Sequence, residues 1–156
     1  MEQTIADLLA AHPVFAGLPA ADLALIAGCG RNAAFRDGEY LFREGAEANQ
    51  FFVVRQGRVA MELFVPDRGG LVVDTVEPGG IVGVSWLFPP YRWQVDGRCV
   101  GPVRAISLDG ACLRGKCDAD PRLGYELMKR FAQVLNLRIE SAHLRLLDLY
   151  GSPRGR

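Results

Sequence analysis

Along residues 4–28 the apolar positions fall in three sets: Ile5, Leu8 and Leu9; Val14, Phe15 and Leu18; Leu23, Leu25 and Ile26. Gaps of three and four place each set on one side of a helix, and Pro13 and Pro19, which lack the backbone donor a helix interior needs, divide them. The spacing predicts a lead-in of short amphipathic helices over residues 1–30. From Ala33 the period shortens. Apolar runs at residues 40–42, 51–54, 59–65 and 71–76 alternate with Arg36-Asp37-Gly38, Glu44-Gly45, Gln56-Gly57, Pro66-Asp67-Arg68-Gly69-Gly70 and Pro78-Gly79-Gly80. Strand-length runs between turn signals predict a small antiparallel sandwich or barrel. Runs at residues 95–100 and 103–108 extend it, so that the β-roll covers residues 31–108.

Beyond Asp109 the period returns to that of a helix. Asp118 is a plausible N-cap, Pro121 suits a first turn, and no proline or glycine breaks the pattern between Gly124 and Gly151. The last helix should therefore run ~25–30 residues, or ~40 Å. Met128, Leu135, Ala142 and Leu149 recur every seven residues, the spacing of a coiled-coil seam, with Phe131, Ile139 and Leu146 nearby and the charged Arg138 and Arg145 interleaved. An apolar stripe of this length is costly to leave in water. The expectation is a homodimer whose seam uses Met128, Phe131, Leu135, Ala142 and Leu149; the alternative is that one face simply caps the β core. Residues 109–150 are thus the C-terminal helices, and residues 151–156, Gly-Ser-Pro-Arg-Gly-Arg, read as a disordered tail.

Composition narrows the classes. A chain of 156 residues supports one domain, here residues 1–156, and 49 % hydrophobic against 23 % charged residues is a globular balance without a run long enough to span a membrane. The start, MEQTIADLLAAHP, lacks the basic and apolar parts of an export signal, so a cytoplasmic protein is expected. Eighteen basic and eighteen acidic residues cancel, which disfavours direct nucleic-acid binding. Cys29, Cys99, Cys112 and Cys117 have no zinc-type spacing, and with only His12 and His143 in the chain no metal cluster is expected. All four cysteines are expected to act as small hydrophobes in a reducing compartment.

The order of elements resembles the cyclic nucleotide-binding domain of the CRP/FNR family. The likeness rests on Phe15-x-Gly17-Leu18, Asp22-Leu23, Phe35-x-x-Gly38-Glu39-x-Leu41-Phe42-x-Glu44-Gly45, Phe52-x-Val54-x-x-Gly57-x-Val59 and Pro78-Gly79-x-x-Val82-Gly83. It implies a mainly β fold with flanking helices: a double-stranded β-helix, or jelly-roll, followed by a long C-terminal helix. It also implies a phosphate cassette, in which a Gly-Glu opens a short helix and an Arg with small hydroxyl residues follows about ten positions later. Amides at a helix start attract an anion, a guanidinium pairs with phosphate, and the Glu accepts a hydrogen bond from the ribose.

The stretch GVSWLFPPYRWQVDGR carries this cassette in altered form. Gly83 falls on the glycine, Val84 on the glutamate, Trp93 on the arginine and Asp96 on the hydroxyl residue; Ser85 and Arg92 complete the candidate ligand site. Losing charge-assisted hydrogen bonds and placing a carboxylate near the phosphate would together cost more than ~4 kcal/mol, about a thousandfold in affinity. Two readings stand for Arg92: it reaches a phosphate-bearing ligand, or Arg92 or Arg98 pairs with Asp96. Two stand for Trp86, Phe88, Tyr91 and Trp93: they fill the cavity, or they line a pocket for a flatter ligand. Ser85 lacks a nearby histidine and a nucleophile elbow, so hydrolysis is excluded and no catalytic residue is assigned. A cyclic nucleotide or another small ligand is the candidate cofactor. The chain stops shortly after the long helix, so a DNA-reading domain is not expected. The expected function is a non-enzymatic sensory or regulatory module signalling through its C-terminal helix. The alternative is a protein-protein interaction module with a filled pocket.

Overall fold

A computed structural model describes residues 3–150; the tail expected to be disordered lies outside the described residues. The lead-in resolves into α1 (Ile5–Ala10) and α2 (Ala20–Ala27). Thr4 and Asp7 cap α1 reciprocally, each side chain taking the other's backbone N–H. Six antiparallel strands follow: β1 (Gly30–Phe35), β2 (Tyr40–Phe42), β3 (Gln50–Val65), β4 (Gly69–Val76), β5 (Ile81–Val82) and β6 (Asp96–Asp109). They are ordered β1-β6-β3-β4, with β2 on β6 and β5 on β3. A single-turn 3-10 helix, Ser85–Leu87, interrupts the roll, and α3 (Gly110–Ala119) and α4 (Pro121–Tyr150) close it.

The strands are fewer and longer than the turn signals implied. Gln56-Gly57 does not end a strand; it bends one. The pairing of β3 with β6 shifts on either side of Gln56, and Gly57, at φ +83°, lies so close to the Pro102 carbonyl that a Cβ could not fit. A glycine bulge lets β3 turn from one face of the roll to the other without breaking the ladder.

Burial on both faces explains the apolar density of β3 and β6. Phe51 and Val53 point toward the helices, where they join Leu9, Phe15, Ile26, Trp86, Leu113, Leu123, Leu127 and Phe131 in one core. Their neighbours Phe52 and Val54 point into the roll, joining Phe42, Val59, Val82, Trp93, Cys99 and Val103 in a second. Strict alternation of side chains along a strand sorts consecutive residues between the two.

Three sequence expectations are corrected here. Asp118 does not cap the long helix: it lies inside α3, and Asp120 takes the Leu123 N–H at 3.4 Å. Phe131 leaves the proposed seam, since it is 1 % exposed and packs edge-on against Phe51 and Trp86. Leu135 is half-buried, while Met128, Ala142 and Leu149 face outward. The four cysteines are not alike either. Cys29 and Cys112 form a disulfide with Cα atoms 5.8 Å apart across 83 residues of chain, whereas Cys99 and Cys117 are free. Closing a loop of that length restricts the unfolded chain and contributes about 4–5 kcal/mol in the chain-entropy account.

Arginines fasten α4 to the body. Arg122 grips the buried Asp22 carboxylate of α2 with two hydrogen bonds, at 2.7 and 3.0 Å. Arg130 donates to the carbonyls of Val14 and Ala16 at 2.7 and 2.8 Å, Arg138 to that of Ile81, and Arg145 to that of Val73 while facing Asp74. Each spacing of eight turns about 80° around the helix, so the anchors wind around it as the body does, while Arg138 and Arg145, seven apart, point the same way. The two charges that interrupt the apparent seam, Arg138 and Arg145, therefore belong to the face turned toward the roll.

The Asp22–Arg122 pair sets an acid limit on stability. The hydrogen bonds from Arg122 hold the Asp22 carboxyl below its usual range. A depressed carboxyl stabilises the fold above its unfolded value, near pH ~4, and that contribution is lost as pH falls toward the folded value. Asp22→Asn should flatten the acid limb of the stability profile in urea titrations between pH 2 and 5. Arg122→Ala should lower the melting temperature more than Asp22→Asn does at pH 7, because it strands a buried carboxylate without its partner.

Candidate functional site

The cassette begins where β5 ends. Gly83 adopts φ +100°, a conformation open to glycine at little cost, and a Cβ there would lie 2.6 Å from Trp93 Cη2 and 2.7 Å from Cζ3. Gly83 thus gives the Trp93 ring its room. That ring is 4 % exposed and stacks on Phe42, with centroids 3.7 Å apart and planes inclined by 11°. Phe42 in turn lies over Gly97, where a Cβ would approach its ring to 2.6 Å. Two glycines and two rings therefore form one layered wall inside the roll, with Phe52 stacked behind Phe42 at 6.4 Å.

Between Gly83 and Trp93 the chain is pinned into both cores. Val84, partly buried, packs against the helical core, and Trp86 at 1 % exposure fills that core's centre, stacked on Phe51 at 4.8 Å. Ser85 opens the 3-10 helix and is half-buried. Phe88 is 53 % exposed and fills nothing, which corrects its place among the cavity-filling rings. Arg114 of α3 donates to the Trp86 carbonyl and sets its guanidinium 4.3 Å from the centroid of the Tyr91 ring, a cation-π contact. The loop then joins residues 45–48 in a short antiparallel ladder: Ala48 N–H to the Tyr91 carbonyl at 2.7 Å, Trp93 N–H to that of Ala46 at 2.9 Å, and Gly45 N–H to that of Trp93 at 2.8 Å.

Both ion pairs expected of Asp96 are absent, and the electrostatics of the seat differ accordingly. Asp96 accepts the Glu44 N–H at 2.7 Å and faces Arg43 Nε at 3.4 Å, where it fixes the turn after β2. Arg98 is engaged elsewhere: Nε and Nη2 both donate to Glu62, at 3.1 and 2.9 Å, and this pairing raises its pKa further. Arg92 is exposed and its nearest partner is the Gly45 carbonyl at 3.4 Å. Cys99, fully buried within the roll, has its thiol pushed up to about 11 by burial, so it packs as a hydrophobe and does not serve as a nucleophile at neutral pH.

The structure brings Gly83, Trp93 and Phe42 together, leaves Arg92 at the rim, and turns Asp96 to the β2 turn. Phe42, Arg43 and Glu44 were missed as site residues, although Phe42-x-Glu44-Gly45 stood out in the sequence; only the register of β2 on β6 places them opposite the cassette. The histidines are separate. His143 is exposed on α4, while His12 is 7 % exposed and its Nδ1 accepts the Val14 N–H at 3.1 Å. Burial lowers the His12 pKa, and the Gly79 carbonyl nearby opposes that only in part, lying outside good hydrogen-bond geometry to Nε2. Among the described residues no group of three or more His, Cys, Asp and Glu could hold a metal ion, and no helix is long and apolar enough to cross a membrane.

A jelly-roll with a glycine-led cassette between β5 and β6 and a long closing helix is the architecture of a cyclic-nucleotide sensor domain. Residues 33–120 match the family model described as the cyclic nucleotide-binding domain, and the chain belongs to that family. It is 23 % identical over 143 residues to the CRP-like cAMP-activated global transcriptional regulator of Mycobacterium tuberculosis, covering 92 % of this chain and 62 % of that relative's length. Among solved structures, a Geobacter metallireducens GS-15 protein named as a cyclic nucleotide-binding protein superposes with a TM-score of 0.77 at 29 % identity, covering 89 % of this chain and 99 % of that one. A cyclic nucleotide-binding domain from Methylobacillus flagellatus KT gives 0.79 at 17 % identity, over 97 % and 85 % of the two chains, a likeness of fold.

Two substitutions test the wall. Trp93→Ala should cost about 3–5 kcal/mol in urea denaturation, the usual price of deleting a large buried ring. Gly83→Ala should cost about 1–3 kcal/mol through its left-handed backbone and its collision with that ring, and it should cost less in the Trp93→Ala background, where the collision is gone.

Proposed function

We propose that this chain is a regulatory module of the cyclic nucleotide-binding family that signals through α4 and does not hold cyclic nucleotides in the family's usual manner. One observation carries the reading: the Trp93 ring, stacked on Phe42 over Gly83, occupies the register of the phosphate-binding arginine. Val84 offers no acceptor to a ribose hydroxyl and packs into the helical core instead. With no guanidinium in register and the space taken, the terms lost amount to about a thousandfold in affinity. Calorimetric titration with cAMP and with cGMP should give no saturable heat up to about 100 µM. Low-micromolar binding that Arg92→Ala abolishes would sink this reading and restore Arg92 as the phosphate ligand.

The output belongs to α4. Its distal half exposes Leu137, Ile139, Leu144, Leu146, Leu147 and Leu149, between 51 and 73 % each, an apolar extent that a lone chain would leave in water. Met128, Leu135, Ile139, Ala142, Leu146 and Leu149 share one side, adjacent to the arginine face, and suit the same helix of a second copy. The protein should sediment at twice the mass of one chain, and Ile139→Asp combined with Leu146→Asp should reduce it to a monomer with unchanged far-ultraviolet circular dichroism. A wild-type monomer at 100 µM would redirect the stripe to a different protein, the interaction-module alternative.

A further inference from the structure

The disulfide lies apart from the cassette, and its surroundings give it a chemistry of its own. Cys29 ends the turn after α2 and is 8 % exposed; Cys112 stands in the first turn of α3 and is half-buried. The pair lines a cleft of about 400 Å³ together with Arg31, Asn49, Gln50 and Asp109. Such a volume admits a small peptide-sized molecule, and the lining offers amide, guanidinium and carboxylate groups to a polar one.

Other contacts hold the same elements in place without the bond. Asp109 N–H donates to the Cys29 carbonyl at 2.8 Å, Gly110 N–H to that of Asn49 at 2.7 Å, and Lys116 Nζ to that of Leu25 at 2.6 Å. Leu113 is fully buried beneath α3, and Asp22–Arg122 ties α2 to α4 independently. Cleaving the bond should therefore loosen α3 without dissolving the core. A looser α3 has one direct dependant, because Arg114 on that helix holds the Trp86 carbonyl and covers Tyr91.

We propose that Cys29 and Cys112 are a reversible thiol–disulfide exchange site for a small cellular thiol, and that the redox state of this pair sets the mobility of α3 and of the loop 85–93. In the reducing direction a thiolate attacks Sγ of Cys112, the more exposed residue of the pair; the Cys29–Cys112 bond breaks, and Cys29 departs as a thiolate that takes up a proton. A second thiolate then attacks the outer sulfur of the mixed disulfide, releasing Cys112 as a thiolate that is protonated in turn, and the two small thiols leave joined as their disulfide. The protein gains two electrons and two protons, and the small couple supplies both. The reverse sequence, started by the small disulfide, reforms the bond.

The test uses the full chain equilibrated with reduced and oxidised glutathione at set ratios, quenched in acid, then alkylated under denaturing conditions and weighed. Oxidised buffer should leave two alkylated cysteines, Cys99 and Cys117, with Cys29 and Cys112 joined; reduced buffer should give four, and returning the buffer should restore two. A glutathione adduct trapped in Cys29→Ser should sit on Cys112. Amide exchange across residues 111–119 and 85–93 should quicken about tenfold on reduction, with a melting temperature lower by ~10 °C. Cys112→Ser should fix the fast pattern at every ratio, whereas Cys117→Ser should leave the response intact. Four alkylated cysteines at all ratios, two at all ratios, or equal exchange in the two forms would each overturn the proposal. Nucleotide affinity enters none of these readouts.

Discussion

The constraint on which the molecule depends is that β3 and β6 bury both their faces over residues 51–54, 59–62 and 105–108. Phe51 and Phe52 are consecutive, nearly inaccessible, and belong to different cores. A strand in that position has no solvent side, so each face must be met by something large and apolar. On one side the helices answer, with Phe131 edge-on to Phe51. On the other the roll closes on itself. The loop between β5 and β6 serves both: Trp86 is driven into the helical core and Trp93 into the roll, and the residues between them span the sheet's edge. The aromatic density of that stretch follows from packing two cores with one loop.

That arrangement also decides how the roll can speak to the long helix. Arg138 holds the carbonyl of Ile81, two residues ahead of Gly83, so the anchor of α4 lies on β5, the strand that leads into the cassette. Arg145 reaches β4 and Arg130 the segment between α1 and α2. These contacts use charged donors on backbone carbonyls, each stronger than a neutral bond and each lost if the helix slides by a turn. Up to Phe131 the helix is fixed largely by hydrophobic burial, with Leu123, Leu127 and Phe131 inaccessible; beyond it the hydrogen bonds of Arg138 and Arg145 hold it to β5 and β4. If α4 signals as proposed, a displacement of its distal half has to break these contacts together, which favours a discrete change over a continuous one.

Much of this was legible in the chain itself. The helical lead-in, the glycine turns, the β-roll and the long helix follow from periodicity and punctuation, because these are local properties, but of the three apolar sets of the lead-in only the first and last form helices; Val14, Phe15 and Leu18 lie in the turns and loop between them. What sequence left dark is pairing across distance. Gln56-Gly57 reads as a turn until its partner Pro102 is known, since a bulge and a hairpin ask for the same residues. Asp96 had two arginines close in sequence, yet it pairs with Arg43 because β2 lies antiparallel to the start of β6. Cys29 and Cys112 are 83 residues apart and join only because β6 leads straight into α3 beside the end of α2. Arg138 and Arg145 looked like flaws in a seam when counted by sevens, and become anchors once the face toward the roll is identified. In the cassette the identities of Val84 and Trp93 told of missing polar anchors, but the stacking of the Trp93 ring on Phe42 over Gly83 is a contact across distance that the sequence did not reveal.

A filled seat changes what can act as input. A ligand moves a conformational equilibrium only by binding one state better than the other. On the proposed reading a covalently attached ring occupies the seat in every molecule, so it contributes no such difference between molecules. Stripping the anchors without filling the space would have left a void, at about 24 cal/mol for each Å³, and a looser β5 on which Arg138 could not hold the helix firmly. Trp93 shares the core of the roll with Val82 of β5, the strand that α4 is tied to. On the proposed reading, regulation enters where the elements joined to α4 can still change: at its exposed distal face, or at the Cys29–Cys112 bond between α2 and α3.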